Sequence, residues 1–260
     1  MNKVRAKKHL GQHFLIEEII AENTVMAFNP ECTFTKTIEI GPGMGVLTQY
    51  LLKRSELDLY LIEVDDESVA YLKKHSSLAD DHIIQADVLQ LDLQSYVGQA
   101  PFGIIGNFPY NISSQILFRL LDYKDQAVEL VGMFQKEVAE RIVAPPGSKT
   151  YGITSVLLQA YFDMEYLFTV DEYCFDPPPK VKSAVIRLQR NKLKKLDCDE
   201  KAFRTIVKMA FNQRRKTLRN SLKSILPEDI RMEERFSERP EQLGVEDFIA
   251  ITQDIYPSKI

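Results

Sequence analysis

The chain has 260 residues, 45% hydrophobic and 27% charged, with 37 acidic against 33 basic side chains and a formal charge of −4. That length holds one full α/β domain and a smaller unit, since domains run to about 100–200 residues, and the composition excludes extended disorder. No stretch approaches the roughly 18 continuous apolar residues of a membrane helix.

The N-terminal MNKVRAKKHLGQHFLIEEII is basic and then apolar, but Glu17 and Glu18 interrupt it and no small-residue cleavage site follows. Neither a membrane protein nor an exported one is expected. Cys32, Cys174 and Cys198 are widely spaced, with no C-x-x-C pair and no histidine cluster, which points to a reducing cytoplasm and no metal site. Net acidity alone argues against a nucleic-acid partner. The charges segregate, however. Lys3, Arg5, Lys7 and Lys8 crowd the first ten residues without an acid. Lys201, Arg204, Lys208, Arg214, Arg215, Lys216, Arg219 and Lys223 do the same over 201–223, while acids collect between Glu228 and Asp254. Such patches meet phosphate well, although charge alone would favour a solvated helix face.

In chain order, residues 16–28 read as a helix with Ile16, Ile19, Ile20, Ala27 and Phe28 on one stripe. A strand follows at 37–40, a helix at 46–54, a strand at 59–64, a helix near 67–76 and strands at 82–87 and 102–107. Next come a helix at 112–121, a strand at 128–134, and helices at 136–143 and 153–162 around a PPGSKTYG loop. A late strand at 183–188 is expected to close the sheet as an antiparallel edge. Apolar strands separated by helices specify a doubly wound, mostly parallel sheet covered on both faces. Beyond NKLKKLD the pattern is helical only, which places a domain boundary near residue 192, with a sheet domain over 1–192 and a helical one over 193–260.

IEIGPGMGVLT sets Gly41, Gly43 and Gly45 in the turn after the first sheet strand, where backbone approaches a ligand closely. G-x-G-x-G departs from the G-x-G-x-x-G pyrophosphate fingerprint, as suits S-adenosylmethionine, which has no pyrophosphate. Glu63 ends the next strand about twenty residues on, the separation expected of an acid that accepts from ribose hydroxyls. Asp87, after the third strand, is placed to accept from an adenine amine, although a loop aspartate alone reads as a cap.

Asn107-Phe108-Pro109-Tyr110 ends the fourth strand. An exocyclic adenine nitrogen is a poor nucleophile because its lone pair is delocalised into the ring. The Asn107 amide oxygen and the Phe108 carbonyl offer acceptors for its two N–H groups. Pro109 stiffens the turn, and Tyr110 offers a ring on which an extruded base stacks. Alignment of amine, methyl and leaving group then does most of the work, with no strong base, nucleophile or metal required.

LGQHFL (10–15), IEIGPGMGVLT, GNFPYNIS (106–113), FDPPPKVKSAVIRL (175–188) and FNQRRKTLRNSL (211–222) together resemble the ribosomal RNA adenine N6,N6-dimethyltransferases over nearly the whole chain. The resemblance implies a class I methyltransferase, Rossmann-like domain with a small C-terminal all-α domain, and S-adenosylmethionine as cofactor. It further implies a monomer that meets the small ribosomal subunit and its 16S rRNA, where two adjacent adenosines of the 3′-terminal hairpin each receive two methyl groups. Gln12, His13 and Leu15 would cover the cofactor beside Gly41, Gly43, Glu63, Asp87 and Asn107. Phe175 would sandwich the target adenine opposite Tyr110. Arg5, Lys7 and Lys8 of the arm, and Arg214, Arg215, Lys216 and Arg219 of the helical part, would face RNA.

His13 and Phe108 stand where asparagine and leucine are commoner in that family. A large-subunit RNA methyltransferase with a similar catalytic half, a nicotinamide oxidoreductase and a ribosome-assembly factor remain as alternatives. FDPPPKV and FNQRRKTLRN favour the small-subunit branch, and the N-F-P-Y corner disfavours nicotinamide.

Overall fold

A computed structural model describes residues 4–257, so Lys3 of the basic arm lies outside the described residues. The elements run β1 (Phe14–Leu15), α1 (Glu18–Met26), β2 (Lys36–Ile40), α2 (Thr48–Leu51), β3 (Asp58–Glu63), α3 (Asp66–His75), β4 (Ile83–Gln85), α4 (Gln94–Val97) and β5 (Phe102–Asn107). They continue with α5 (Ser113–Asp122), β6 (Ala127–Gln135), α6 (Lys136–Val143), α7 (Ile153–Gln159), β7 (Phe162–Val170), β8 (Phe175–Asp176) and β9 (Ser183–Arg190). The last three helices are α8 (Glu200–Asn212), α9 (Leu218–Ser221) and α10 (Val245–Ile255).

Seven strands form one sheet in the order β4-β3-β2-β5-β6-β9-β7, and β1 pairs with β8 in a separate two-stranded patch. β4 through β6 are parallel, and β9 returns antiparallel to β6 from Gln135↔Ser183 to Glu129↔Gln189. The near-continuous apolar runs of β5 and β6 follow from burial on both faces. Of the residues of β5, only Asn107, at its carboxyl end, escapes full burial. From β2 the chain steps outward to β3 and β4, then crosses back to put β5 on the other side of β2. That reversal opens a crevice at the carboxyl ends of β2 and β5, where α/β sheets receive ligands.

The structure departs from the sequence reading at several places. β9 is not the edge, because β7 lies outside it. In β7, Phe162, Met164, Tyr166, Phe168 and Val170 alternate with Asp163, Glu165, Leu167 and Thr169, the period of a half-buried strand. The helix before it stops at Gln159. In α1 the buried positions are Ala21, Thr24 and Val25, followed by Phe28. Ile16 and Ile19 stand outside that i, i+3, i+4, i+7 stripe and are exposed.

By contacts the chain divides into two compact units. One runs to Ala139 and resumes over Met164–Arg190; the other joins Glu140–Asp163 to everything from Asn191 onward. Residues 140–163, assigned to the sheet domain by a single boundary near 192, thus belong with the helical unit. In that unit Asp199 caps α8 by accepting from the Ala202 N–H at 2.8 Å. Phe203, Ile206, Val207, Ala210 and Phe211 turn inward along α8, and the Phe211 ring lies 6.1 Å from Tyr151 and 6.0 Å from Phe248.

Phe108 shows how the sheet shapes the corner beyond it. Its side chain is buried, edge-on to Phe134 at 5.1 Å, and lies on Gly132 of β6, where a Cβ would come within 2.1 Å of the ring. The glycine is the space into which the aromatic fits. Gly132→Ala is therefore expected to destabilise the fold by about 1–3 kcal/mol through overpacking. Chemical denaturation checks this, and the loss should shrink in a Phe108→Leu background because the two sites are in contact. An unchanged midpoint would contradict the packing.

Candidate functional site

Gly41, Glu63, Asp87 and Asn107 stand at or just beyond the carboxyl ends of four adjacent parallel strands, and all four line one cavity of ≈ 180 Å³. Gln12, His13, Gly43, Phe108, Pro109 and Tyr110 line it too. A second cavity of ≈ 650 Å³ on the glycine turn is lined by Leu15, Ile16, Glu39, Met44, Gly45 and Tyr71 and shares Phe14, Gly41 and Asn107 with the first. Leu15 borders only this larger space.

The glycine turn has the conformation its residues permit. Gly41, Gly43 and Gly45 have φ of 67°, 57° and 81°, the left-handed region that side chains disfavour. At Gly43 a Cβ would also meet the Phe14 ring at 2.8 Å. The Gly43 N–H donates to Glu63 Oε2 at 3.0 Å, and the Val64 and Asp65 N–H groups donate to Oε1 at 2.9 Å each. A carboxylate has about four lone-pair sites, so three backbone donors fix Glu63 and leave capacity for a ligand hydroxyl. Burial pushes its pKa up, against the lowering effect of those N–H groups. Asp87 serves two ends: it accepts from the Leu89 N–H at 2.9 Å and the Gln90 amide at 3.1 Å, as a turn cap does, and it lines the cavity.

At the corner, the Asn107 Nδ2 donates to the His13 carbonyl at 3.0 Å. A carbonyl can only accept, so the nitrogen of the amide is committed to it and Oδ1 is left as the free acceptor. With the Phe108 ring buried, that residue meets the cavity through its main chain. The Tyr110 hydroxyl is tied to Ser183 Oγ at 2.5 Å, and its ring stacks with His13, centroids 5.4 Å apart and planes 26° from parallel.

Phe175 is not among the residues that line the cavity holding Tyr110. The pairing Leu15↔Phe175 in the β1–β8 ladder turns its ring into the core with Leu15, Val170 and Cys174, at 2% exposure. Ring against ring, Tyr110 instead meets His13. Three of the expected RNA contacts are also engaged within the protein. Lys7 binds Asp65, Asp66 and Glu67, and the hydrogen bond to Asp65 is the chief reason its ammonium is held above its usual range. Burial disfavours the Asp65 charge, but Lys7 and Ser68 outweigh it and hold that carboxyl below its usual range. Arg214 donates to the Lys149 carbonyl at 2.5 Å and lies 3.8 Å from Glu241. Arg219 donates to the Arg231 carbonyl at 2.9 Å and the Met232 and Glu233 carbonyls at 3.5 Å. Arg5, Lys8, Arg215 and Lys216 are exposed.

Sequence reasoning missed Asn111, which lines the smaller cavity, and Glu39. An acid inside the apolar run IEI was the available signal for Glu39. It is 1% exposed and accepts from Thr48 Oγ1 at 2.7 Å. Ser183, 73 residues from Tyr110, gave no signal at all.

The match to the family model described as "Ribosomal RNA adenine dimethylase" spans residues 3–246. This chain belongs to the ribosomal RNA adenine dimethylase family. Among its relatives, a ribosomal RNA small subunit methyltransferase A from Cytophaga hutchinsonii is 56% identical over 97% of this chain and 98% of its own length. Another from Bacteroides thetaiotaomicron is 55% identical over 98% and 96%. A solved dimethyladenosine transferase from Plasmodium falciparum superposes with a TM-score of 0.76 at 21% identity, covering 92% of this chain and 96% of its own. The 23S rRNA methyltransferase ErmE does so at 0.66 and 21%, covering 92% and 99%. At that identity these two show the shared fold.

Glu39 lies in β2, two residues before the glycine turn. Burial, reinforced by the charge of Glu63, pushes its pKa from 4.5 to about 8 against the opposing Thr48 hydrogen bond. Between those values the folded chain keeps a proton that the unfolded chain has lost, so its contribution to stability falls as pH rises. Glu39→Gln keeps an acceptor for Thr48 and removes the titration. Its stability relative to the wild type, measured by thermal unfolding, should grow from pH 5 to about pH 8 and level off above that; a difference independent of pH would contradict the assignment.

Proposed function

We propose that the chain uses S-adenosylmethionine to dimethylate the N6 amines of two adjacent adenosines in the 3′-terminal hairpin of 16S rRNA in the small subunit. The observation that carries this reading is the committed amide of Asn107, whose Oδ1 is left as an acceptor at the end of β5. The close relatives are small-subunit methyltransferases by name, which sets the substrate class.

The acceptor set fits the cofactor. Glu63 and Asp87 border the smaller cavity, and among the described residues no lysine or arginine lines either cavity. Carboxylates without cations repel a pyrophosphate and suit a sulfonium nucleoside that brings hydroxyl and amine donors. Glu63 would take the ribose hydroxyls, Asp87 the adenine amine, and the Gly41 and Asn107 region the amino-acid end. When bound, the cofactor supplies an electrophilic methyl group on a positive sulfur.

The protein's own part is alignment. Asn107 Oδ1 and the Phe108 carbonyl accept from the target amine, which turns the nitrogen lone pair out of conjugation and towards the methyl carbon. Pro109, with no N–H, adds no competing donor. Tyr110, fixed by Ser183, supports the flipped base through its ring. Of the cations expected to face RNA, Arg5, Lys8, Arg215 and Lys216 are exposed and would meet phosphate.

Incubating the protein with small subunits that lack the modification and with labelled S-adenosylmethionine, then mapping the label, should find dimethyladenosine at two neighbouring positions of the 3′ hairpin. Label on large-subunit RNA alone would overturn the substrate assignment. Tyr110→Ala should lower transfer by about 5- to 150-fold, the value of one lost base stack, with cofactor affinity unchanged. Glu63→Ala should first weaken cofactor binding by calorimetry. Equal loss of both functions in both variants would contradict this division.

A further inference from the structure

Three contacts radiate from His13. Its Nδ1 lies 2.8 Å from the Pro177 carbonyl, and because that oxygen only accepts, Nδ1 carries the proton and donates. Its ring stacks on Tyr110. Its own carbonyl takes the Asn107 amide. The β1–β8 ladder explains why a side chain is used here. The register Leu15↔Phe175, Phe14↔Asp176 places residue 13 opposite Pro177, which has no N–H to contribute to a further rung. The imidazole N–H makes the next link in place of a backbone pair.

We propose that His13 is a positioning residue for methyl transfer: its imidazole rivets the N-terminal arm to the Pro177 segment and to Tyr110, and so holds in place the carbonyl that orients Asn107. The inference rests on the proposed transfer to an adenine amine, and it concerns a different role for His13 from contact with the cofactor. The ladder continues through the Ile16 N–H to the Cys174 carbonyl at 2.8 Å, and Lys7 ties the arm to Asp65 further back. At residue 13 itself, however, the imidazole makes the link across to the Pro177 segment. Without the rivet, the His13 carbonyl shifts, the Asn107 amide is released to rotate, and its Nδ2 turns a donor towards an amine that needs an acceptor. Tyr110 loses its stacking neighbour in the same step.

His13→Ala, His13→Asn and His13→Phe separate the parts. Alanine removes donor and ring, asparagine restores a donor without a ring, and phenylalanine keeps a ring without a donor. His13→Ala should lower kcat on unmethylated small subunits by roughly ten- to a hundredfold, the scale of a small misalignment. Its Kd for S-adenosylhomocysteine should stay within about twofold, the size of a loss without direct contact. The asparagine and phenylalanine variants should each recover part of the rate, and they carry the test if the alanine variant does not fold. A cofactor-analogue Kd that rises in step with the fall in kcat would make His13 a cofactor contact and overturn the inference, as would an unchanged kcat in all three variants. An inactive wild type in the same assay would overturn the proposed function instead.

Discussion

The hydrogen bond from the Asn107 amide to the His13 carbonyl decides which end of that amide faces the cavity. An amide side chain presents a donor at one end and an acceptor at the other, and an amine substrate requires the acceptor. Committing the nitrogen to a carbonyl that cannot donate removes the ambiguity before any substrate arrives. The placement depends on the topology, because β5 crosses back beside β2 and so brings Asn107 next to the glycine turn. It depends equally on the arm, because the carbonyl comes from residue 13, 94 positions away.

Electrostatics around the corner follow the same economy. Glu39 and Glu63 are both buried, and burial raises both pKa values. Three backbone N–H groups hold Glu63 in place, whereas Glu39 has a single hydroxyl and its pKa is pushed up to about 8. The paired acids therefore present less negative charge than their number suggests. The cationic arm, for its part, is partly consumed at home: Lys7 neutralises the acidic start of α3 and ties the arm beside the site.

Much of this was legible because the signals are local. Gly41, Glu63, Asp87 and Asn107 each end an apolar run, so strand periodicity alone lines them up along one edge of a parallel sheet. β7 was equally legible from its alternation, but its first residue, Phe162, ends the apolar run VLLQAYF, which extends the apparent helix. Other features depend on partners distant in the chain. Phe175 lies inside because strand pairing with Leu15 sets its parity, and neighbouring residues do not carry that information. Arg214 and Arg219 look like free cations in a basic run, yet carbonyls of Lys149 and Arg231 claim them. The His13–Tyr110 stack joins two motifs read separately.

The most direct measurement is a crystal structure of the chain with S-adenosylhomocysteine and an unmethylated small-subunit RNA hairpin. The adenine amine should lie within about 2.7–3.2 Å of Asn107 Oδ1, with Asn107 Nδ2 still on the His13 carbonyl and the base against Tyr110. A base held elsewhere, or Asn107 turned with its nitrogen towards the amine, would contradict the alignment on which the chemistry depends.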